Sequence, residues 1–226
     1  MKGVFVTGTD TGVGKTLVTC ALLSLLAQKT EGAAGMKPIA TGAIFEGGEW
    51  CSGDTVSIMD ASSISLPVSL VTPCLMRAPV SPDIAARMEG RQIDLEYVYG
   101  CYRQICEKTA AVVVEGVGGF RVPLSETQDA SDLAVQLGLP VVLVVGLRLG
   151  CMSVAMLTVE AILSRGLTLA GWVANHIDPH LLYTGEVITS LDARIPAERL
   201  GTIPYMPSPS WQVAAQFIDL LPPCVR

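Results

Sequence analysis

The chain of 226 residues contains no apolar run approaching the roughly 20 uninterrupted residues that a bilayer-spanning helix needs, so no membrane span is expected. It also lacks any block of lysines and arginines. With a formal net charge of −6, it offers no surface suited to nucleic acid or an anionic membrane. Its seven cysteines, at 20, 51, 74, 101, 106, 151 and 224, are odd in number and show no Cys-x-x-Cys spacing. Neither a disulfide framework nor a metal framework is therefore expected, and the cysteines read as small buried hydrophobes in a reducing compartment. Only two histidines are present, and Pro179 between His176 and His180 keeps them from sharing a helical face as a metal pair. There is no internal repeat and no low-complexity tract. Met1-Lys2-Gly3 leads straight into Val4-Phe5-Val6-Thr7, without a secretory h-region, so a cytoplasmic protein is expected.

Hydrophobic residues make up 50% of the chain and charged residues only 16%, which supports a large core and argues against disorder. The length fits one domain over residues 1–226. Compact valine-rich stretches at Val4–Thr7, Ala111–Glu115, Val141–Gly146 and Leu169–Asn175 lack period-two alternation, the pattern of parallel strands buried on both faces. Ala34–Ile39 and Leu200–Ile203 are weaker strand candidates. Helical patterns fall at Lys15–Lys29, Asp94–Lys108, Asp129–Leu137, Cys151–Arg165 and around Trp211–Leu221. The alternation predicts an α/β fold: a doubly wound, mostly parallel sheet flanked by helices, with ligands at the carboxyl ends of the strands. Residues 42–93, rich in Gly, Pro and Ser, read as a loop-rich excursion with short helices.

The strongest local signal is Gly8-Thr9-Asp10-Thr11-Gly12-Val13-Gly14-Lys15-Thr16, which follows the first strand and opens the first helix. Glycines let backbone N–H groups converge on a phosphate chain, and the helix N-terminus adds partial positive charge. Lys15 is placed to reach β- and γ-phosphates, and the Thr16 hydroxyl to ligate Mg²⁺. The loop is a variant of the phosphate-binding P-loop. Variants of this kind occur in ATPases that partition plasmids and position division sites. Those proteins carry a signature lysine five residues before the P-loop lysine, where this chain has Asp10.

The stretch Val6–Thr16 closely resembles the opening of dethiobiotin synthetases. So do Lys37-Pro38, Glu115-Gly116-Val117-Gly118-Gly119, Val145-Gly146-Leu147-Arg148-Leu149-Gly150-Cys151 and Ala170-Gly171-Trp172-Val173-Ala174-Asn175. The resemblance covers nearly the whole chain in the right order. It implies a P-loop fold and an ATP- and Mg²⁺-dependent ring closure of 7,8-diaminopelargonic acid with carbon dioxide in biotin synthesis. Its partners would be small molecules only, namely the diamino acid, carbon dioxide and ATP, with no nucleic acid and no membrane, and the enzyme would be a homodimer.

By the same resemblance, Lys37 and Lys15 are the catalytic cations and Thr16, Asp54 and Glu115 the magnesium ligands. A carboxylate at the tip of the apolar strand Val112–Val114 is costly unless paired or metal-bound, which supports Glu115; for Asp54, helix N-capping is the competing reading. ATP would be held by Gly12, Val13, Gly14, Lys15, Thr16 and Leu17, and by Asp54, Glu115, Gly116, Val117 and Gly118. Asn175, His176, Pro204, Tyr205, Met206 and Trp211 would flank the base, with core packing an equal reading for Trp211. Thr11, Lys37, Thr41, Val117 and Gly118 would contact the diamine. Gly150, Cys151 and Ser153 would reach its carboxylate from the neighbouring subunit, with N-capping an equal reading for Ser153. Two positions depart from relatives: Gly12, where some carry glutamate or asparagine, and Ser153, where asparagine is frequent. An amidotransferase synthetase of related fold would need a further glutaminase domain, which this length does not accommodate.

Overall fold

The computed structural model describes residues 2–225. The chain opens with β1 (Lys2–Gly8), α1 (Lys15–Ala27) and β2 (Ala33–Met36). The excursion then supplies β3 (Ile39–Ala40), β4 (Ile44–Glu46), β5 (Glu49–Cys51), α2 (Gly53–Ala61), α3 (Val68–Val71), β6 (Cys74–Leu75) and α4 (Pro82–Met88). The remainder runs α5 (Leu95–Cys106), β7 (Ala111–Glu115), α6 (Ala130–Leu137), β8 (Val141–Leu147), α7 (Cys151–Ser164), β9 (Leu169–His176), α8 (Thr184–Asp192), β10 (Arg199–Ile203) and α9 (Trp211–Ala214).

Among the described residues six strands form one sheet in the order β10-β9-β8-β1-β7-β2, with every neighbouring pair parallel. The valine runs explain this arrangement. Val112, Val113 and Val114 on β7 and Val141–Val145 on β8 are fully buried on both faces, as a helix-covered parallel sheet requires. Helix α1 packs on β1, β2 and β7, α5 on β7, and α7 on β8 and β9. From β1 the chain first winds toward β2 and β7, then crosses to β8, β9 and β10. The loop after β1 therefore sits where the winding direction reverses, the place where such sheets open a crevice at their carboxyl ends. This is the α/β architecture expected. Among the described residues no helix is long and apolar enough to cross a membrane.

Several boundaries moved for identifiable reasons. The strand expected over Ala34–Ile39 stops at Met36 because Pro38 has no N–H to continue a ladder, and Ile39–Ala40 pairs instead with Cys74–Leu75 of the excursion. The Lys37 N–H donates to the Val71 carbonyl at 2.9 Å and the Cys74 N–H to the Pro38 carbonyl at 3.0 Å. The excursion is thus tied back onto the segment that carries Lys37. Residues 44–51 are a β-hairpin turning at Gly47-Gly48, with the rings of Phe45 and Trp50 tilted against each other at 5.4 Å between centroids.

Helix α5 begins one residue late because Asp94 is its N-cap, accepting from the Glu96 and Tyr97 N–H groups, and Asp129 caps α6 in the same way. The helix expected around Trp211–Leu221 is shortened to α9 and a 3-10 turn at Ala215–Phe217. Its last carbonyl partners are lost because Asp219 and Leu220 donate to the Leu200 carbonyl on β10 instead. Helix α8 was not anticipated. It buries only Leu191, and the residue before it is Tyr183 in left-handed conformation (φ 54°), not a capping side chain.

Candidate functional site

The loop between β1 and α1 is shaped by one buried side chain and two left-handed glycines. Val13 is fully buried, and its carbonyl accepts a hydrogen bond from Asn175 Nδ2 at 2.8 Å, tying the loop to the end of β9. Gly14, at φ 94°, is the residue on which α1 starts. A Cβ there would lie 2.2 Å from Asn175 Nδ2, so the position admits only glycine. Gly12, at φ 74°, faces open space; its backbone angle, not crowding, selects glycine.

Lys15 follows the loop, 7% exposed, with its ammonium donating to the Asp10 carbonyl at 2.8 Å. Burial pushes the Lys15 ammonium down to about 8; the charge of Lys37 adds to this, while Glu115, Asp54 and Asp10 oppose it. A phosphate chain favours the charged lysine. Nucleotide affinity should therefore fall as pH rises through about 8, and binding above that pH should take up a proton. Titration calorimetry of metal-free ADP at two pH values straddling this pKa is expected to show about tenfold weaker binding on the alkaline side. Equal affinities would show that Lys15 keeps its charge across this range or stands away from the phosphates.

Opposite the loop, side chains from α1, α2, β7 and the link between β2 and β3 converge. Thr16, in the first turn of α1, has its hydroxyl 2.8 Å from Asp54 Oδ1 and 2.9 Å from Glu115 Oε1. The Lys37 ammonium donates to Glu115 Oε1 at 2.5 Å and to the Gly116 carbonyl at 3.2 Å, and forms an ion pair with Asp54 Oδ2 at 3.0 Å. Glu115 is fully buried at the end of β7, and Lys37 is 3% exposed. Burial alone would pull the Lys37 ammonium down, but the charges of Glu115 and Asp54 outweigh it and hold it above the usual lysine range. Asp54 is subject to the opposite balance: burial raises its carboxyl, and Lys37 with the Thr16 hydroxyl brings it below the usual carboxylate range. Asp54 is not an N-cap. Ser52 holds that position on α2, and Asp54 points from the first turn toward Thr16 and Lys37.

The fit of this group to magnesium rests on its oxygens. Thr16 Oγ1, Asp54 Oδ1 and Glu115 Oε1 meet within hydrogen-bond distance, and Glu115 Oε2 is buried without a hydrogen-bond partner among the described residues. Hard oxygens from one or two carboxylates, completed by phosphate and water, are what magnesium takes in phosphoryl-transfer sites. Among the described residues no cluster of three or more His, Cys, Asp or Glu could hold a metal by itself, so nucleotide oxygens would have to share the ion.

Three adjoining cavities open along this line. The largest, about 720 Å³, is bounded by Thr11, Lys15, Thr16, Lys37, Asp54 and Glu115, with Thr41, Val117 and Gly118 also at its wall. Gly12 and Gly14 of the loop also line it, and so do Ala40, Pro79-Val80-Ser81-Pro82 and Val122, which the sequence reading missed. The available signal was Ser81 before Pro82, a start pattern for helix α4. A second cavity of about 510 Å³ runs between Thr16, Leu17, Asp54, Pro209 and Trp211. A third, about 220 Å³, is lined by Gly12, Leu17, Asn175, His176, Pro204, Tyr205 and Met206. Trp211 thus sits apart from the other base-side candidates, in the middle cavity, while also packing on the core. Gly116 lies against the ring of Phe5 and offers its carbonyl to Lys37.

Gly150, Cys151 and Ser153 line none of these cavities. They stand at the N-terminus of α7, where Gly150 (φ 90°) is the N-cap and Ser153 is exposed, so Ser153 does not cap the helix. Arg148, just before them, pairs with Asp10 of the loop at 2.5 Å, a contact that sequence order alone could not reveal.

The match to known proteins agrees with this geometry. Residues 2–213 match the model of a family described as an AAA domain. Among solved structures, the fold resembles MinD in the MinC:MinD cell division protein complex of Aquifex aeolicus, at 16% identity over 95% of this chain and 86% of that one, with a TM-score of 0.56. A ParA family ATPase from Chlorobium tepidum TLS aligns at 13% identity over 97% of this chain and 91% of its own, with a TM-score of 0.55. The septum site-determining protein MinD complexed with Mg-ADP from Pyrococcus horikoshii OT3 aligns at 15% identity over 94% and 86%, with a TM-score of 0.52. With a parallel six-stranded sheet, a phosphate loop at its switch point and a family match over nearly its whole length, this chain has the P-loop NTPase fold and belongs to the AAA domain family.

Proposed function

We propose that this protein closes a ureido ring on 7,8-diaminopelargonic acid, consuming ATP and carbon dioxide with magnesium and releasing dethiobiotin, ADP and phosphate. The observation that carries the reading is the 720 Å³ cavity. It joins the phosphate loop and two buried lysines to an apolar wall of Pro79, Val80 and Val122. Simple hydrolysis needs only a water beside the γ-phosphate. A room of this size, with two lysines among carboxylates that a divalent cation would neutralise on one side and an aliphatic wall on the other, suits a second reactant that has an anionic head and a hydrocarbon chain.

The chemistry asks for charge and position more than for covalent help. One amine of the substrate adds to carbon dioxide and loses a proton, giving a carbamate. A carbamate oxygen attacks the γ-phosphorus as the bond to ADP breaks, giving a carbamic-phosphoric anhydride. The second amine then attacks the carbonyl carbon, phosphate leaves, and the nitrogen sheds its proton as the ring closes. Lys15 stabilises the phosphate chain from the loop, and Lys37 the carbamate and the transferring phosphoryl from the opposite side. Thr16, Asp54 and Glu115 would hold magnesium, which when bound neutralises phosphate charge. Thr11, Thr41, Val117 and Gly118 orient the diamine, and the cavity around Asn175, His176 and Tyr205 receives the base. Gly150, Cys151 and Ser153 serve the cavity of a second copy, so a homodimer completes the site.

Isotope incorporation tests the reaction: labelled bicarbonate should enter a product with the mass of dethiobiotin, one label per ADP formed. Label absent from any product would end the proposal. A second reading, a partitioning or regulatory ATPase, is favoured by the fold shared with MinD and ParA family proteins. Against it stands Asp10, at the place of the signature lysine and paired with Arg148. Hydrolysis stimulated by DNA, vesicles or a protein partner, with no response to the diamine, would select that reading.

A further inference from the structure

The Lys37 ammonium donates to Glu115 Oε1 and to the Gly116 carbonyl, and it is ion-paired with Asp54 Oδ2 at 3.0 Å. Its charge is thus held by both carboxylates, and an anion in the adjoining cavity would have to draw Lys37 away from them. The same carboxylates face the Thr16 hydroxyl, whose single proton cannot serve both Asp54 Oδ1 and Glu115 Oε1 at once. Glu115 Oε2 has no hydrogen-bond partner among the described residues although it is buried. Five oxygens of three side chains thus share one ammonium and one hydroxyl proton, which leaves the cluster short of positive charge and donors.

We propose that the Lys37 ammonium and a divalent cation compete for the one oxygen set of Thr16, Asp54 and Glu115, so that cation entry is what frees Lys37 to meet the substrate anion. The inference rests on the proposed function only in taking these three side chains as cation ligands. It makes Lys37 an internal counter-ion as well as a reacting-site cation. It also imposes an order: Lys37 turns to the anion cavity only when metal and nucleotide are in place. A fixed, permanently available lysine would impose no such order.

The test titrates Mn²⁺ onto the ADP-saturated protein, without diamine, and reads the free ion by electron paramagnetic resonance. Replacing Lys37 by methionine removes the competitor and leaves two carboxylates facing each other, so Lys37→Met is expected to bind Mn²⁺ about tenfold or more tightly than the unaltered protein. Lys37→Arg keeps the charge and is expected to stay within about threefold of the unaltered protein. Mn²⁺ affinity unchanged or weakened in Lys37→Met overturns the proposal. Should Lys37→Met fail to fold, the unaltered protein gives a second measurement. Mn²⁺ added to the ADP-saturated protein should speed acetylation of Lys37 by acetic anhydride over ADP alone, read by peptide mass spectrometry, and an unchanged or slower rate would equally overturn it. Because neither readout involves the ring-closing reaction, its failure and a failure of the proposed function are separable. Absence of dethiobiotin with the unaltered protein, together with tighter Mn²⁺ binding in Lys37→Met, would retain the exchange and discard the reaction.

Discussion

Lys37→Met is expected to lower ring closure by about two to four orders of magnitude, the scale on which one preorganised charge contact acts at an oxyanion or phosphoryl site. ADP should still bind, because the loop from Gly8 to Thr16 and the cavity at Asn175 do not depend on Lys37 for their shape. The same substitution should also cost stability. Glu115 is fully buried and would lose its ammonium partner, a change that typically costs about 3–5 kcal/mol when one member of a buried pair is removed. Divalent cation should restore part of that loss. Urea unfolding with and without Mn²⁺ reads the stability, and steady-state turnover reads the chemistry. Turnover near that of the unaltered protein would take Lys37 out of the mechanism. Loss of ADP binding together with turnover would point to a collapsed site instead.

The second large effect is expected from Gly14→Ala. A non-glycine residue at φ 94° is strained by about 1–2 kcal/mol, and its Cβ would stand 2.2 Å from Asn175 Nδ2. Something must shift, and the hydrogen bond from Asn175 to the Val13 carbonyl is the contact in the way. We expect ADP affinity to fall about a hundredfold, equivalent to about 2.7 kcal/mol. The double variant Gly14→Ala/Asn175→Ala removes the clash but not the backbone strain, so part of the affinity should return. Calorimetry measures both. Unaltered ADP affinity in Gly14→Ala would show that the loop does not cradle phosphate through its backbone.

Much of the frame was legible because it is written in local pattern. The unbroken valines of β7 and β8 announce a sheet covered on both faces, and the glycine-rich loop between β1 and α1 announces a phosphate cradle. Glu115 stood out because a carboxylate after Val112–Val114 contradicts its surroundings. What stayed hidden depends on contacts across long sequence distance. Nothing periodic links Thr16 to Asp54 or Lys37 to Glu115; Lys37 meets Glu115 because β2 pairs in parallel with β7, Met36 beside Val114, and Asp54 joins them from the excursion. Helix α8 escaped because its buried surface is nearly confined to Leu191. The C-terminal helix was overextended because its donors at Asp219 and Leu220 are claimed by β10, a tertiary competition with no local signature.

Resemblance reached further than pattern for the site, yet only geometry showed how its members meet. Asn175, expected beside the base, also braces the phosphate loop, and Trp211 lies in the middle cavity, away from Asn175. The wall Pro79–Pro82 belongs to the segment least readable from sequence, and it is what gives the largest cavity its apolar side. This is the common lot of loop-borne sites: the scaffold is encoded by periodicity, while the chamber is built by segments without it.

The measurement closest to the central claim is phosphate release from ATP and Mg²⁺, followed with each of 7,8-diaminopelargonic acid and bicarbonate omitted in turn. The account predicts release only when both are present, with dethiobiotin appearing in equal amount. Release that is indifferent to the diamine, or no release with both present, would contradict it.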